Sequence, residues 1–500
     1  MSNLSKSRLL SFRQCTKRLW LEIHRPDLRE VSADAQARFA IGHQVGDIAR
    51  KLYDPKGTGH LIDAQSEGFD AAFARTRELL KSDQPIFEAG FAANGALAFA
   101  DIMLPTIKNR RSSWRMIEVK SSTSVKDYHR DDAAIQASVA IQSGAPLTSI
   151  ALAHIDSGWT YPGGNNYQGL LVEEDLTEEA FGRGPEVADW ISEAQAVARK
   201  RNEPEVRTGP HCNDPFECPF LAYCQGQQPQ PTHPIDWLPG RFTGTLTAMI
   251  EKNGWTEMRE IPDEYLNDRQ RLVKAVTLSG NTHFDAEGAR ADLTPHQLPA
   301  LFLDFETVQF TVPIWKGTRP YQQIPFQFSI HRVSGNGTLE HREFLDLSGN
   351  DPSKAFAEAL VSECGETEPV FVYNAVFERG RISELAERFP RLKRELTQIS
   401  KRIVDLLPVA RKRYYHPDQE GRWSIKAVLP AIASDLRYDA LDGVQDGGMA
   451  MNAYYEAIST DTSVERKRQV EAQLRDYCRL DTFAMVRLWQ FFTGRPPTAP

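Results

Sequence analysis

The sequence predicts an α/β protein of two domains joined by a helical connector, and three observations carry that prediction. Both halves place short apolar runs that carry acidic residues next to segments of helical spacing. A Gln/Pro-rich stretch, Gln225 to Pro234, separates them, and 500 residues suffice for two or three domains with cores of their own. The expected divisions are 1–226 for the first domain, 227–297 for the linker and connector, 298–492 for the second domain and 493–500 for a disordered tail. Composition narrows the function. Charged residues are 25% and the net charge is −8, so no global basic field coats nucleic acid, although a local basic groove is compatible with an acidic total. Six cysteines, no signal-peptide pattern and no apolar run of membrane length lead to the expectation of a cytoplasmic protein with no membrane partner.

In chain order, Leu4 to Ile23 reads as one capped amphipathic helix with Cys15 inside it, followed by helices over Ala33 to Leu52 and Ser66 to Lys81. The spacing then shortens to strand periodicity around 86–91, 97–104 and 114–119, and each run carries an acid: Glu88, Asp101 and Glu118. Glu118 and Lys120 are two apart and share a face, and Asp101 is placed to meet Glu118 at one edge of the sheet. Two carboxylates and a lysine are costly as core, so a cation is their expected partner. Carboxylate oxygens suit Mg2+ or Mn2+, and a metal-activated water beside a lysine is the chemistry of phosphodiester hydrolysis. In the helical pattern Val125 to Gly144, Asp132 and Gln136 lie one turn apart on one face.

Cys212, Cys218 and Cys224 are evenly spaced just before the break, and Cys15 is the one cysteine upstream. Four thiolates hold zinc or an iron–sulfur cluster, and spacing does not choose between them. Cys364 and Cys478, isolated in apolar helical patterns, read as free thiols.

Asp101, Glu118-Val119-Lys120 and Gln136, bracketed by Cys15 and Cys212/Cys218/Cys224, resemble the PD-(D/E)XK nuclease fold of the RecB type, in its iron–sulfur subgroup with CRISPR-adaptation and AddB-like nucleases. The resemblance covers about 1–225. It implies that Asp101 and Glu118 bind the catalytic metal, with Glu88 as a further metal candidate, that Lys120 is the catalytic lysine, that Gln136 is the helix motif residue, and that the four cysteines hold a [4Fe-4S] cluster. Two features depart from the pattern. His43 follows Gly42 directly rather than by a helical turn, and the last three cysteines are spaced C-x5-C-x5-C, which keeps zinc as the alternative.

A second domain opens at Leu301 to Thr307, an apolar run whose Asp304 and Glu306 emerge on one side. A second strand runs through Asn374 towards Glu378, and Tyr477 and Asp481 are one helical turn apart. This set resembles the DEDD exonucleases of the RNase H-like fold, tyrosine subtype. It implies two divalent ions held by Asp304, Glu306, Glu378 and Asp481, with Tyr477 orienting the water. Glu378 stands where that superfamily mostly has Asp. Asp405 is either a spare acidic position or a helix cap. Trp423-Ser424-Ile425-Lys426 resembles the start of a helix in related exonucleases. The run Arg319 to Gln327, with Leu303 to Thr307, is similar to a bacterial domain-of-unknown-function family often joined to RecB-like nucleases. Arg319, Tyr321, Gln322 and Gln323 suit the phosphates and bases of a single strand, and Lys412 to His416 form a second basic–aromatic patch.

No Walker-type phosphate loop is seen in the sequence, so unwinding of long duplex falls to a separate helicase. The expected function is a Mg2+- or Mn2+-dependent nuclease acting on DNA ends or single strands, in repair, recombination or defence. The alternatives are a nucleic-acid end-binding protein with one active site and a degenerate clamp domain, and a nuclease directed at RNA.

Overall fold

The computed structural model describes residues 3–30, 33–108 and 111–498. The chain divides into two compact units, Met1–Gln230 with Phe310–Tyr321, and Pro231–Gln309 with Gln322–Pro500. The division expected at 226 therefore lies near residue 230, and the connector is part of the second unit. A twelve-residue stretch inside the second domain's sequence belongs to the first unit.

The first unit is built on a mixed sheet. Its strands are β1 (Leu4–Ser5), β2 (His60–Leu61), β3 (Ile86–Ala93), β4 (Ala96–Lys108), β5 (Arg111–Lys120), β6 (Leu147–Ile155) and β7 (Leu171–Asp175), in the order β2-β3-β4-β5-β6-β7 with β1 beside β4. β3, β4 and β5 run antiparallel in succession, and β5 and β6 are parallel. A parallel pair needs a crossover, which the helix Asp127–Gln142 supplies. Its Ala133, Ala134, Ala137 and Ala140 are all buried; small side chains let the helix lie close on the sheet.

The helix expected over 4–23 is two: α1 (Lys6–Gln14) and α2 (Thr16–His24), broken at Cys15, whose backbone is extended at φ −163° and ψ 127°. Apolar spacing continues through the break, so periodicity alone does not reveal it. α3 (Ala33–Tyr53) follows. The third expected helix is also divided, into α4 (Ala64–Glu67) and α5 (Phe69–Leu79), by Gly68 at φ +82°, a conformation glycine adopts without steric cost.

The second unit carries a five-stranded sheet of β9 (Ala300–Val308), β10 (Ile324–Val333), β11 (Leu339–Leu345), β12 (Val370–Val372) and β13 (Ile403–Asp405), in the order β11-β10-β9-β12-β13. β10 is antiparallel to both β9 and β11, while β12 is parallel to β9 and β13. The connector is integrated: β8 (His283–Phe284) pairs with β14 (Tyr414–Tyr415), and Arg413 bonds Asp285 at 2.5 Å and Asp292 at 2.8 Å. The basic–aromatic patch read at 412–416 is thus largely internal, with Tyr414 and Tyr415 buried. The long helix Val464–Thr493 lies on the sheet. Gln327 donates to the Leu474 carbonyl at 2.9 Å, and Ser329 and His331 meet the Thr482 hydroxyl at 2.7 and 2.8 Å. The expected disordered tail folds back on that helix as far as Thr498: Arg495 N–H donates to Gln490 O at 2.8 Å and Thr498 N–H to Gln490 Oε1 at 3.1 Å. Among the described residues no helix is long and apolar enough to cross a membrane.

Candidate functional site

Two carboxylate clusters and one cysteine pocket stand out, and the fold explains how each is assembled. In the first unit the β4–β5 ladder starts at Ile102–Ile117. Next to that pair, the Asp101 carboxylate accepts the Val119 N–H at 2.7 Å, a side chain standing in for a backbone partner. Glu88, at φ +56°, falls between the β3–β4 pairs Phe87–Ile102 and Ala89–Ala100 without pairing itself. The strands therefore open where the acids sit. Lys120 Nζ donates to Glu118 Oε1 at 2.6 Å and to Asp132 Oδ2 at 2.6 Å, and Gln136 Nε2 donates to Asp132 Oδ1 at 3.0 Å. Glu118, Asp132 and Gln136 are buried, and Glu118 Oε2 has no hydrogen-bond partner.

The structure thus brings together Asp101, Glu118, Lys120 and Gln136, and adds two residues that spacing did not assign to the site. Asp132 is the acceptor that holds Lys120. Lys6, the first residue of α1, donates to Glu118 Oε1 at 2.9 Å and pairs with Asp132 Oδ1 at 3.2 Å. Burial and the nearby Glu118 carboxylate push the Asp101 carboxyl well above its ordinary pKa. Burial acts the same way on Asp132, but Lys120 and Lys6 outweigh it and hold its pKa low. Glu88 is raised by burial and by Glu118. His43 is exposed on α3, where its charge reaches Glu88.

The cysteine pocket ties the ends of the unit together. Cys15, Cys212, Cys218 and Cys224 line one pocket with Lys17, Arg18, Arg207 and His211. The Gln14 amide reaches across to the His211 and Phe216 carbonyls, both at 2.7 Å. Burial pushes the Cys224 thiol up to about 11. Among the described residues, the group of three ligand atoms within 4.8 Å of one another is elsewhere.

That group of three is Asp304, Glu306 and Cys478, in the second unit. β12 pairs with β9 only at Leu301 and Phe302, so Asp304 and Glu306 project beyond its end, where the chain passes through Asn374 into the helix Ala375–Arg388 that carries Glu378. The Val464–Thr493 helix supplies Tyr477, Cys478 and Asp481. Lys426, in the first turn of the helix Ile425–Ile432, donates to the Tyr477 hydroxyl at 3.2 Å, and the Tyr438 hydroxyl donates to Asp481 at 2.5 Å. Burial, then Asp481 and Glu306, push Asp304 well above its ordinary value; burial, then Asp481, does the same to Glu306. Burial raises Asp481 to about 6 and Glu378 to about 8. Glu378 Oε2 is buried without a hydrogen-bond partner.

Asp405 proves to be a cap. It accepts the Leu407, Asn374 and Ala375 N–H groups at 2.9 to 3.0 Å and so fixes the turn before Glu378. Cys478, read as an isolated thiol, lies at the carboxylates. Lys426 sits where the Trp423–Lys426 motif pointed; Tyr438 had no signal in the sequence beyond its ring. Of the residues expected to bind a strand, Tyr321 and Gln323 make hydrogen bonds within the protein. The Tyr321 hydroxyl donates to the Ser121 carbonyl, and Gln323 accepts from Arg381. Arg319 is exposed and Gln322 half-buried.

Over residues 301–424 the chain is similar to a family described as a domain of unknown function, DUF2779. The match takes in Asp304, Glu306 and Glu378 and ends at Ser424, before Lys426, Tyr477 and Asp481. No curated protein matches the chain.

Proposed function

We propose that the protein is a metal-dependent nuclease that hydrolyses phosphodiester bonds of DNA ends or single strands, with one site in each unit. One observation carries the reading. Each unit gathers carboxylates from separate elements around the end of a sheet strand, leaves a buried carboxylate oxygen without a hydrogen bond, and sets lysine beside the cluster. Such an arrangement is costly unless a cation completes it. The strand order β11-β10-β9-β12-β13 supports the RNase H-like reading of the second unit, and a lysine two residues from Glu118 supports the PD-(D/E)XK reading of the first.

In the first site Asp101 and Glu118 would hold Mg2+ or Mn2+, and the unpartnered Glu118 Oε2 fits that role. A bound divalent ion supplies a more acidic water and neutralises charge on the phosphate. Lys120 stands beside the attacking position, where it orients the water. Water oxygen bonds to phosphorus, the bridging P–O bond breaks, and the proton passes to the leaving oxygen. In the second site Asp304, Glu306, Glu378 and Asp481 would hold the metal, and Tyr477, fixed by Lys426, orients the water. The four cysteines that line one pocket would hold a [4Fe-4S] cluster, with zinc as the alternative, and the role proposed for the group is to clasp α1 to the end of the first unit.

The test compares wild type, Lys120→Ala and Asp304→Ala on end-labelled single-stranded and duplex DNA and matching RNA, with Mg2+ or Mn2+. Two distinct product patterns, each lost in one mutant, support the reading. No cleavage by wild type, or none that depends on either residue, sinks it. Loss of all cleavage in Lys120→Ala, with only binding altered in Asp304→Ala, would make the second unit a clamp.

A further inference from the structure

Lys6 is not explained by the site as described so far. It opens α1, whose N-cap Ser5 accepts the Arg8 N–H, and this placement delivers its ammonium to Glu118 Oε1 at 2.9 Å and Asp132 Oδ1 at 3.2 Å. Lys120 already satisfies the same Glu118 oxygen and the other Asp132 oxygen, at 2.6 Å each. A purely structural ion pair needs one lysine here. Two crowd onto Oε1 while Glu118 Oε2, on the same carboxylate, is buried with no partner. The lysines thus occupy one side of Glu118 and leave the other oxygen for a cation.

Charge gives Lys6 a purpose. A phosphodiester linkage carries one negative charge, and at a site lined by Asp101, Glu118, Asp132 and Glu88 it meets repulsion that a second ammonium offsets. The Lys6 and Lys120 side chains retain 19% and 23% of their exposure, so neither side chain is fully enclosed.

We propose that Lys6 is a phosphate-binding residue of the first site, its ammonium donating to a non-bridging oxygen of the scissile phosphodiester. The proposal rests on the nuclease reading of that site. Lys6 releases part of its hold on Glu118 when the cation is bound and keeps Asp132 as its anchor, so its charge is placed before the substrate arrives.

The test uses the full chain with Asp304→Asn to silence the second site, alone and combined with Lys6→Met or Lys6→Arg. Labelled single-stranded DNA is bound in Ca2+, with a normal linkage or with a neutral methylphosphonate at the scissile position, and cleavage is read separately in Mn2+. The parent is expected to lose about tenfold in affinity on the methylphosphonate, as for one charge-assisted contact. Lys6→Met should lose about as much on the normal strand and little more on the modified one, because both changes remove the same contact. Lys6→Met cleavage should fall about a hundredfold, while Lys6→Arg keeps the discrimination. Additive losses, or a parent indifferent to the methylphosphonate, overturn the proposal; the second readout stands even if Lys6→Met fails to fold. A parent that binds and discriminates in Ca2+ but cleaves nothing in Mn2+ keeps the phosphate contact and defeats the nuclease reading instead.

Discussion

The two carboxylate sites use the same chemistry of side chains and differ in how the charge is answered. In the first, Asp101, Glu118 and Asp132 face two lysines, and Asp132 is held low by them. In the second, Asp304, Glu306, Glu378 and Asp481 have one nearby lysine, Lys426, which reaches Tyr477 rather than a carboxylate. There, burial raises the carboxyls, with repulsion from Asp481 added at Asp304 and Glu306, as burial and Glu118 also raise Asp101 and Glu88 in the first site. The first site answers part of its charge with lysines before any metal arrives. The second stores repulsion that only protons or cations relieve. The difference assigns cations a larger structural effect in the second unit and lysines a larger one in the first.

The strongest way to break this comparison is to remove what positions the lysines. α1 carries Lys6 at its first residue and ends at Cys15, so the cysteine pocket and the first site share one short helix. Cys15→Ala is expected to lose the proposed cluster and the fold of the first unit, seen as loss of colour and rapid proteolysis; retained brown colour with full protease resistance would separate the cysteines from the site. Next in size is Lys120→Met. It leaves Glu118 and Asp132 with Lys6 alone, and breaking a buried pair in this way typically costs about 3–5 kcal/mol. A melting curve unchanged by that substitution would show that the first site does not answer its charge with lysines.

The second unit should respond in the opposite sense. Glu378 and Asp481 have folded pKa values near 8 and 6, above those of an unfolded chain. Between about pH 4.5 and 8 the metal-free folded form therefore binds more protons than the unfolded form, and stability falls as pH rises through that window. Asp304→Asn removes one of the repelling charges. It is expected to raise the metal-free melting temperature at pH 8 while abolishing Mn2+ stabilisation of this unit. A melting temperature of the metal-free protein that climbs from pH 5 to 8 contradicts the burial-raised carboxyls.

Much of both sites was legible because their acids obey local periods: Glu118 and Lys120 two apart on a strand, Asp304 and Glu306 likewise, Tyr477 and Asp481 one helical turn apart. Lys6 escaped because its partner lies 112 residues away, and no local spacing reports a contact of that range. Cys478 was read as isolated because the strand it faces is likewise distant in sequence. The break at Cys15 was hidden by apolar spacing that runs through it. The excursion Phe310–Tyr321 was hidden differently. It lies between two strands of the second sheet, so chain order assigned it there, and only packing shows Val312 buried with Val45, Ile155 and Leu170.

That excursion supplies the smallest and sharpest test of the first site. Tyr321, at φ +58°, is half-buried, and its hydroxyl donates to the carbonyl of Ser121, the residue after Lys120. The excursion is also held by backbone bonds, Tyr161 N–H to Thr318 O at 2.9 Å and Gly317 N–H to Tyr161 O at 2.8 Å, so the ring keeps its place without the hydroxyl. Tyr321→Phe should therefore cost only about 1 kcal/mol of stability, the net worth of one hydrogen bond. If that bond fixes the strand end that aims Lys120, cleavage by the first site falls several-fold in kcat with KM unchanged, while cleavage by the second site does not move. Equal losses at both sites, or a change confined to KM, would place Tyr321 in substrate binding, as its sequence context first suggested.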